Sequence, residues 1–233
     1  TGQYAHAEGD RTTAANNASH AEGKFTKASA ASSHAEGLLT TASAAYSHAE
    51  GELTLTTGFS SHAEGLKTLT AAQHAHSEGF LTTASAAFAH AEGERTAASG
   101  QSAHAEGYAT LASQVSAHAE GFFTTASAAY AHAEGRLSRA NGVWSHAEGR
   151  ETLTLGTDSH AEGLYTTASA MGAHSEGNRT AASAVAAHAE GYLTLASQIY
   201  AHAEGVKTLA SGIGAHAEGC LLYTSDAADD LRC

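Results

Sequence analysis

The sequence predicts an all-β solenoid, a parallel β-roll of sixteen coils with fourteen residues each. Three observations point there. Histidine recurs at 6, 20, 34 and every fourteenth position as far as 216 without insertion or deletion, and only His74 lies outside the series. Leu, Ile, Val and Phe account for about 13% of the 233 residues, too few for a core of large side chains, so order must come from the repeat. Each unit carries a Gly and several Thr and Ser, with no apolar stripe at helical spacing, and this excludes a helical repeat.

Each unit opens with His-Ala-Glu-Gly, with Ser in place of Ala only at Ser77 and Ser175. Alternation puts His and Glu on one face of a short strand and Ala on the other, and the glycine is expected to permit a tight turn. In the first fifteen units Thr follows six residues after the histidine, with Ser138 the one replacement. That Thr and the Ala eight after the histidine share a face of a second strand, while residues five and seven after it point the other way. The coil therefore reads as two strands back to back, with Ala, Thr and Ala filling a thin interior.

The outer faces differ. That of the second strand varies from copy to copy (Phe25, Lys27, Leu39, Thr41, Lys67, Leu69, Arg95, Leu137, Arg139), as a solvated surface does. The first strand presents His and Glu in every copy, including His20, Glu22, His48, Glu50, His90, Glu92, His132, Glu134, His160, Glu162, His202 and Glu204. An unvarying face on a coil with little apolar area calls for a partner, most simply two further copies in a homotrimer with this ladder along its axis.

The unit Ser-His-Ala-Glu-Gly-x-x-Thr-x-Ala-Ser-Gly-x-x resembles the head repeat of YadA-like trimeric autotransporter adhesins, over residues 1–219. The resemblance implies a left-handed parallel β-roll, trimeric and non-enzymatic, that displays a binding surface on a cell. In that family the strand reads more like Val-Ala-Ile-Gly, and here His and Glu take the apolar places, as at His34 and Glu36 or His118 and Glu120. Histidine-rich variants of the repeat also look like those of phage and prophage tail-associated proteins. The partners implied are other copies of the chain and an extracellular matrix, cell-surface or glycan ligand. The setting implied is extracellular, on a cell surface or a virion tail, with no membrane insertion by this segment and a role in cell adhesion or virulence.

Residues 220–233, which contain Cys220 and Cys233, break the repeat and resemble a translated sequencing adapter, so the sequence reads as an array cut at both ends. The net charge of −13 is dominated by the repeat glutamates. Outside the ladder and the tail stand ten Lys and Arg against five Asp and Glu. The ten read as scattered, with no aromatic platform beside them, so no nucleic-acid partner is expected.

A column of bare glutamates would repel, so each is expected to bond the His two residues away, raising the imidazole pKa and making the assembly loosen in alkali. The alternative for His34, Glu36, His118, Glu120 and their equivalents is metal binding, since imidazole and carboxylate suit zinc and related ions. No cofactor is expected. Sixteen copies without a nucleophile argue against an active site. A third reading, ice binding by the Thr column from Thr12 to Thr208, is opposed by the alternation, which turns that column inward.

All fourteen aromatic residues before position 220 lie four, five, eleven or twelve residues after a repeat position, in the variable slots. Phe80, Tyr108, Phe122, Phe123, Tyr165 and Tyr192 are the candidate binding surface. A longer period of 42 residues, marked by Thr-Thr-Ala-Ser-Ala at 40, 82, 124 and 166, leaves open a three-sided turn that closes a tube within one chain.

Overall fold

A computed structural model describes residues 2–224, and every regular element in them is a β-strand. The chain divides into two compact units, Thr1–Ser116 and Ala117–Cys233. In the first, each of eight coils has a five-residue strand starting at the repeat histidine and a two-residue strand, as in His34–Leu38 and Thr41–Ala42. The second repeats the pattern from His118–Phe122 and Thr125–Ala126 to His216–Cys220 and Tyr223–Thr224.

Pairing is parallel and joins each residue to its equivalent one unit later. His34 faces His48, Ala35 Ala49, Glu36 Glu50 and Gly37 Gly51, and the second unit pairs His132 with His146 in the same way. Adjacent coils are therefore fourteen residues apart, which removes the three-sided 42-residue turn. The longer period is a pattern of side chains laid over this shorter one. Pairing also continues past Gly219, because Val206 faces Cys220 and Ala210 faces Thr224, whose side chain is buried. The break in the sequence at Cys220 thus does not stop the coil, and Leu222 and Thr224 occupy the places of the usual Thr and Ala. The rest of the expected tail, including Cys233, lies outside the described residues.

The interior is made of small side chains, as the alternation predicts. Ala21, Ala35 and Ala49 from the first strands pack against Ala14, Ala28 and Ala42 from the second, and Thr26, Thr40 and Thr82 are equally buried. A further buried column, Ser19, Ser33, Ser47, Ser61 and then Ala75, precedes the histidines and is not evident from alternation. Its hydroxyls close the turn, with Ser33 Oγ donating to the Ala30 carbonyl at 2.7 Å. The two exceptions to His-Ala-Glu are accommodated inside. Ser77 Oγ lies 2.6 Å from Thr70 Oγ1, and Ser175 Oγ lies 2.7 Å from Thr180 Oγ1.

The repeat glycine does not make the turn. Gly37 has φ 109° inside the five-residue strand, and a Cβ there would lie 2.1 Å from the Gly51 carbonyl oxygen. The chain turns two residues later and again seven residues after that, on residues held left-handed that are non-glycine except at Gly172 and Gly214, such as Leu39 at φ 59° and Tyr46 at φ 59°. Glycine is required because neighbouring coils approach closely, and the bends are made by residues whose side chains face solvent.

Candidate interaction faces

The five-residue strands place the His and Glu side chains on their outer face. From His20 onward in the first unit, successive imidazoles stack with centroids 4.6–4.9 Å apart, as in His34–His48 and His62–His76. The second unit does the same from His118 to His216. This spacing is set by the strand separation of about 4.8 Å, because in-register pairing brings equal side chains together.

Each His Nε2 lies near the Glu of its own coil, at 3.2 Å for His146 and Glu148, 3.3 Å for His48 and Glu50 and 3.5 Å for His202 and Glu204. His34 and Glu36, His90 and Glu92, and His118 and Glu120 are paired in the same manner. The same contact joins His20 with Glu22, His132 with Glu134 and His160 with Glu162. The predicted pairing is present, and both side chains remain partly exposed, 33% and 44% for His48 and Glu50.

At four of the histidines the expected effect is reversed. Partial burial is the largest influence on His90, His132, His160 and His188 and holds them below the ordinary imidazole value. The stacked imidazoles above and below lower them further, while the glutamate hydrogen bond pulls upward and is outweighed. Reasoning on a single coil supplied the glutamate but not the neighbouring rings. No group of three or more His, Cys, Asp or Glu able to hold a metal ion occurs within the chain among the described residues. The inward Thr column is buried and offers no outer surface to ice.

The aromatic residues occupy the two edges where the coils bend. Phe80, Tyr108, Phe122, Phe123, Tyr165 and Tyr192 all lie on the edge where the first strand ends, at its last residue or the next, and the last four are exposed. They do not form an unbroken row. Glu94 sits in register between Phe80 and Tyr108, while Tyr192 has Asn178 and Val206 as neighbours. Phe122 and Phe123 meet edge to face at 4.6 Å, and Tyr165 is flanked by Arg150 and Arg179 at 5.9 and 5.7 Å.

A continuous ring row, not selected from the sequence, runs along the opposite edge of the first unit. Tyr46 contacts Phe59 at 5.4 Å, Phe59 contacts His74 at 5.8 Å, and His74 stacks on Phe88 at 5.3 Å. His74, the histidine outside the series, belongs to this row. Sorting residues by slot in the fourteen-residue unit would have shown it, since Tyr46, His74 and Phe88 share the slot twelve after the repeat histidine.

The same sorting corrects the reading of the basic residues as scattered. All ten Lys and Arg before position 220 fall four, five or seven residues after a repeat histidine. These slots form one edge and the adjoining short strand. Rings accompany them: Arg11 and Lys24 lie over Phe25, Arg136 lies over Phe122, and Arg95 bonds the Tyr108 hydroxyl. Among the described residues the opposite edge carries no Lys or Arg, and its one acid is Asp158.

No helix among the described residues is long and apolar enough to cross a membrane. Comparison with known protein families and with curated proteins finds no match.

Proposed function

We propose that the chain is a non-enzymatic structural and adhesive solenoid that assembles as a homotrimer through its His and Glu face. Its edges would then meet a ligand outside the cell, on a cell surface or a phage tail. One observation carries this reading. A half-exposed column of carboxylates, one per coil and in register as Glu36 is with Glu50, has for each member, among the described residues, a single imidazole from its own coil. Such a column repels itself and gains most from hydrogen-bond donors supplied by other chains. The small-residue interior adds to the need, because Ala and Thr bury little apolar area per residue. The resemblance of the repeat unit to adhesin heads agrees with trimerisation and with display.

Light scattering on the full chain tests it. A homotrimer has three times the 23.5 kDa mass of the chain and keeps it when a chelator is added. Dissociation on chelation would instead favour the metal-held assembly, and a monomer at every pH would remove the axial ladder. The trimer is expected to loosen as pH falls below the ordinary histidine value. The lowering present at His132 and His160 within one chain sets this direction.

A further inference from the structure

The basic edge of the second unit is more than a solvated surface. Arg136 and Arg150 are in-register partners on adjacent parallel strands about 4.8 Å apart, so two residues of like charge are direct neighbours in the sheet. That arrangement is destabilising by itself. Arg179 follows two coils later, and Arg139 lies on the short strand beside them. The one acid on this edge of the second unit is Glu151, at 3.7 Å from Arg150 Nε. An open groove of about 390 Å³ lies alongside, lined by Arg139, Glu151, Leu137, Leu153 and Thr167.

The guanidiniums are held in place by rings. Arg136 rests over Phe122 at 5.6 Å, and Tyr165 is flanked by Arg150 from the preceding coil and Arg179 from the following one. Such packing limits the freedom of a long side chain and presents its planar fork for bidentate contact with sulfate or carboxylate groups. The same packing argues against single-stranded nucleic acid, which needs ring faces open to bases. Here the faces of Tyr165 are occupied by the protein's own arginines.

We propose that the edge formed by Arg136, Arg139, Arg150 and Arg179 binds a linear acidic polysaccharide, a chain bearing sulfate or carboxylate on successive sugars. From the coil of Arg136 to that of Arg179 is three steps, about 14 Å. An extended polyanion following the coil direction meets a guanidinium at several successive sugars. The Thr167 hydroxyl and the Leu137 and Leu153 side chains of the groove supply a hydrogen-bonding group and an apolar patch suited to a sugar ring. The inference deepens the adhesive reading above by giving its ligand a chemical class.

The test titrates the full chain with a heparin octasaccharide, a neutral dextran of similar length and an oligothymidylate, at several salt concentrations. The R136Q/R150Q/R179Q variant is expected to lose at least about tenfold in octasaccharide affinity, with the slope of log K on log salt shallower by about two. The K27Q/K67Q/R95Q variant removes as many charges from the first unit, where Glu52 and Glu94 interrupt the edge, and is expected to lose less than about threefold. Circular dichroism verifies that both variants keep their strands. Equal losses in the two variants, oligothymidylate binding as tight as the octasaccharide, or no octasaccharide binding at about 50 mM salt would each overturn the assignment. Light scattering on the same samples separates the two proposals. A monomer that binds keeps the edge and removes the trimer, whereas a trimer that does not bind removes the edge alone.

Discussion

Gly37 and Leu39 stand two residues apart in one coil, both with positive φ, 109° and 59°, yet the first slot is glycine in all sixteen repeats while the second holds almost any residue. Phe25, Lys67, Arg95, Glu151 and Tyr165 all occupy the slot of Leu39. The difference lies in what a Cβ would meet. At Gly37 it would run into the Gly51 carbonyl oxygen at 2.1 Å, whereas Leu39 points outward and is 45% exposed. A left-handed backbone alone costs an L-residue about 1–2 kcal/mol and can be tolerated once per bend. Contact with the backbone of the next coil cannot be relieved by a rotamer change, and combined with a φ near 109° it fixes the residue. In a stacked solenoid the neighbouring coil, more than local conformation, decides which slots are invariant.

The sharpest way to break this contrast is Gly37→Ala. The substitution adds a Cβ in a crowded strand at a φ that L-residues avoid, and a loss of about 3 kcal/mol is expected, read as a lower melting temperature by strand circular dichroism. Melting unchanged within a degree or two would show that coils can separate locally, and the close-approach account would fail.

Acid extends the same comparison from shape to charge, since partial burial first and the stacked neighbours second set the direction at four of the histidines. With folded pKa values below the ordinary 6.5 at His90, His132, His160 and His188, the unfolded chain takes up protons first as pH falls. Stability is therefore complete above about 6.5 and is lost progressively as pH drops through the folded values. A thermal melt in mild acid should come lower than one at neutral pH, with these four histidines contributing together. Higher stability in acid would mean that the glutamates dominate after all, as a single coil suggests.

These two cases mark what could be read in the sequence. Period, strand class, the inward Ala and Thr and the His and Glu pairing all follow from alternation within one unit, because a side chain's face depends only on its parity along a strand. The role of Gly37, the stacking of His34 on His48 and the buried Ser33 column depend on the adjoining coil or on the path of the bend. Parity says nothing of those. The edges were hidden for another reason: Lys24, Arg95 and Arg136 look scattered along the chain and share an edge only once the coil is wound.

Thr82 and Thr70 bring the comparison inside the roll. Both are fully buried, yet Thr82 Oγ1 makes no hydrogen bond while Thr70 Oγ1 donates to the His62 carbonyl at 2.8 Å and lies 2.6 Å from Ser77 Oγ. Thr82→Val is expected to stabilise by about 1 kcal/mol, since it replaces an unsatisfied hydroxyl by a methyl of similar size. Thr70→Val should destabilise by about 1–2 kcal/mol, leaving Ser77 buried without its partner. Chemical denaturation of the two variants side by side reads the difference, and equal shifts would show that the interior does not distinguish satisfied from unsatisfied hydroxyls.

The smallest effect is expected at the tolerant slot itself. Asparagine adopts the left-handed conformation more readily than leucine, and Leu39→Asn keeps the bend while removing an exposed apolar side chain. A gain of about 0.5 kcal/mol should appear as a slightly higher melting temperature. Because the substitution touches no neighbouring backbone, its sign isolates the conformational cost of the bend from the crowding that governs Gly37. A loss instead would mean that Leu39 contributes packing across the edge, and the bends would then join the glycines as slots set by the next coil.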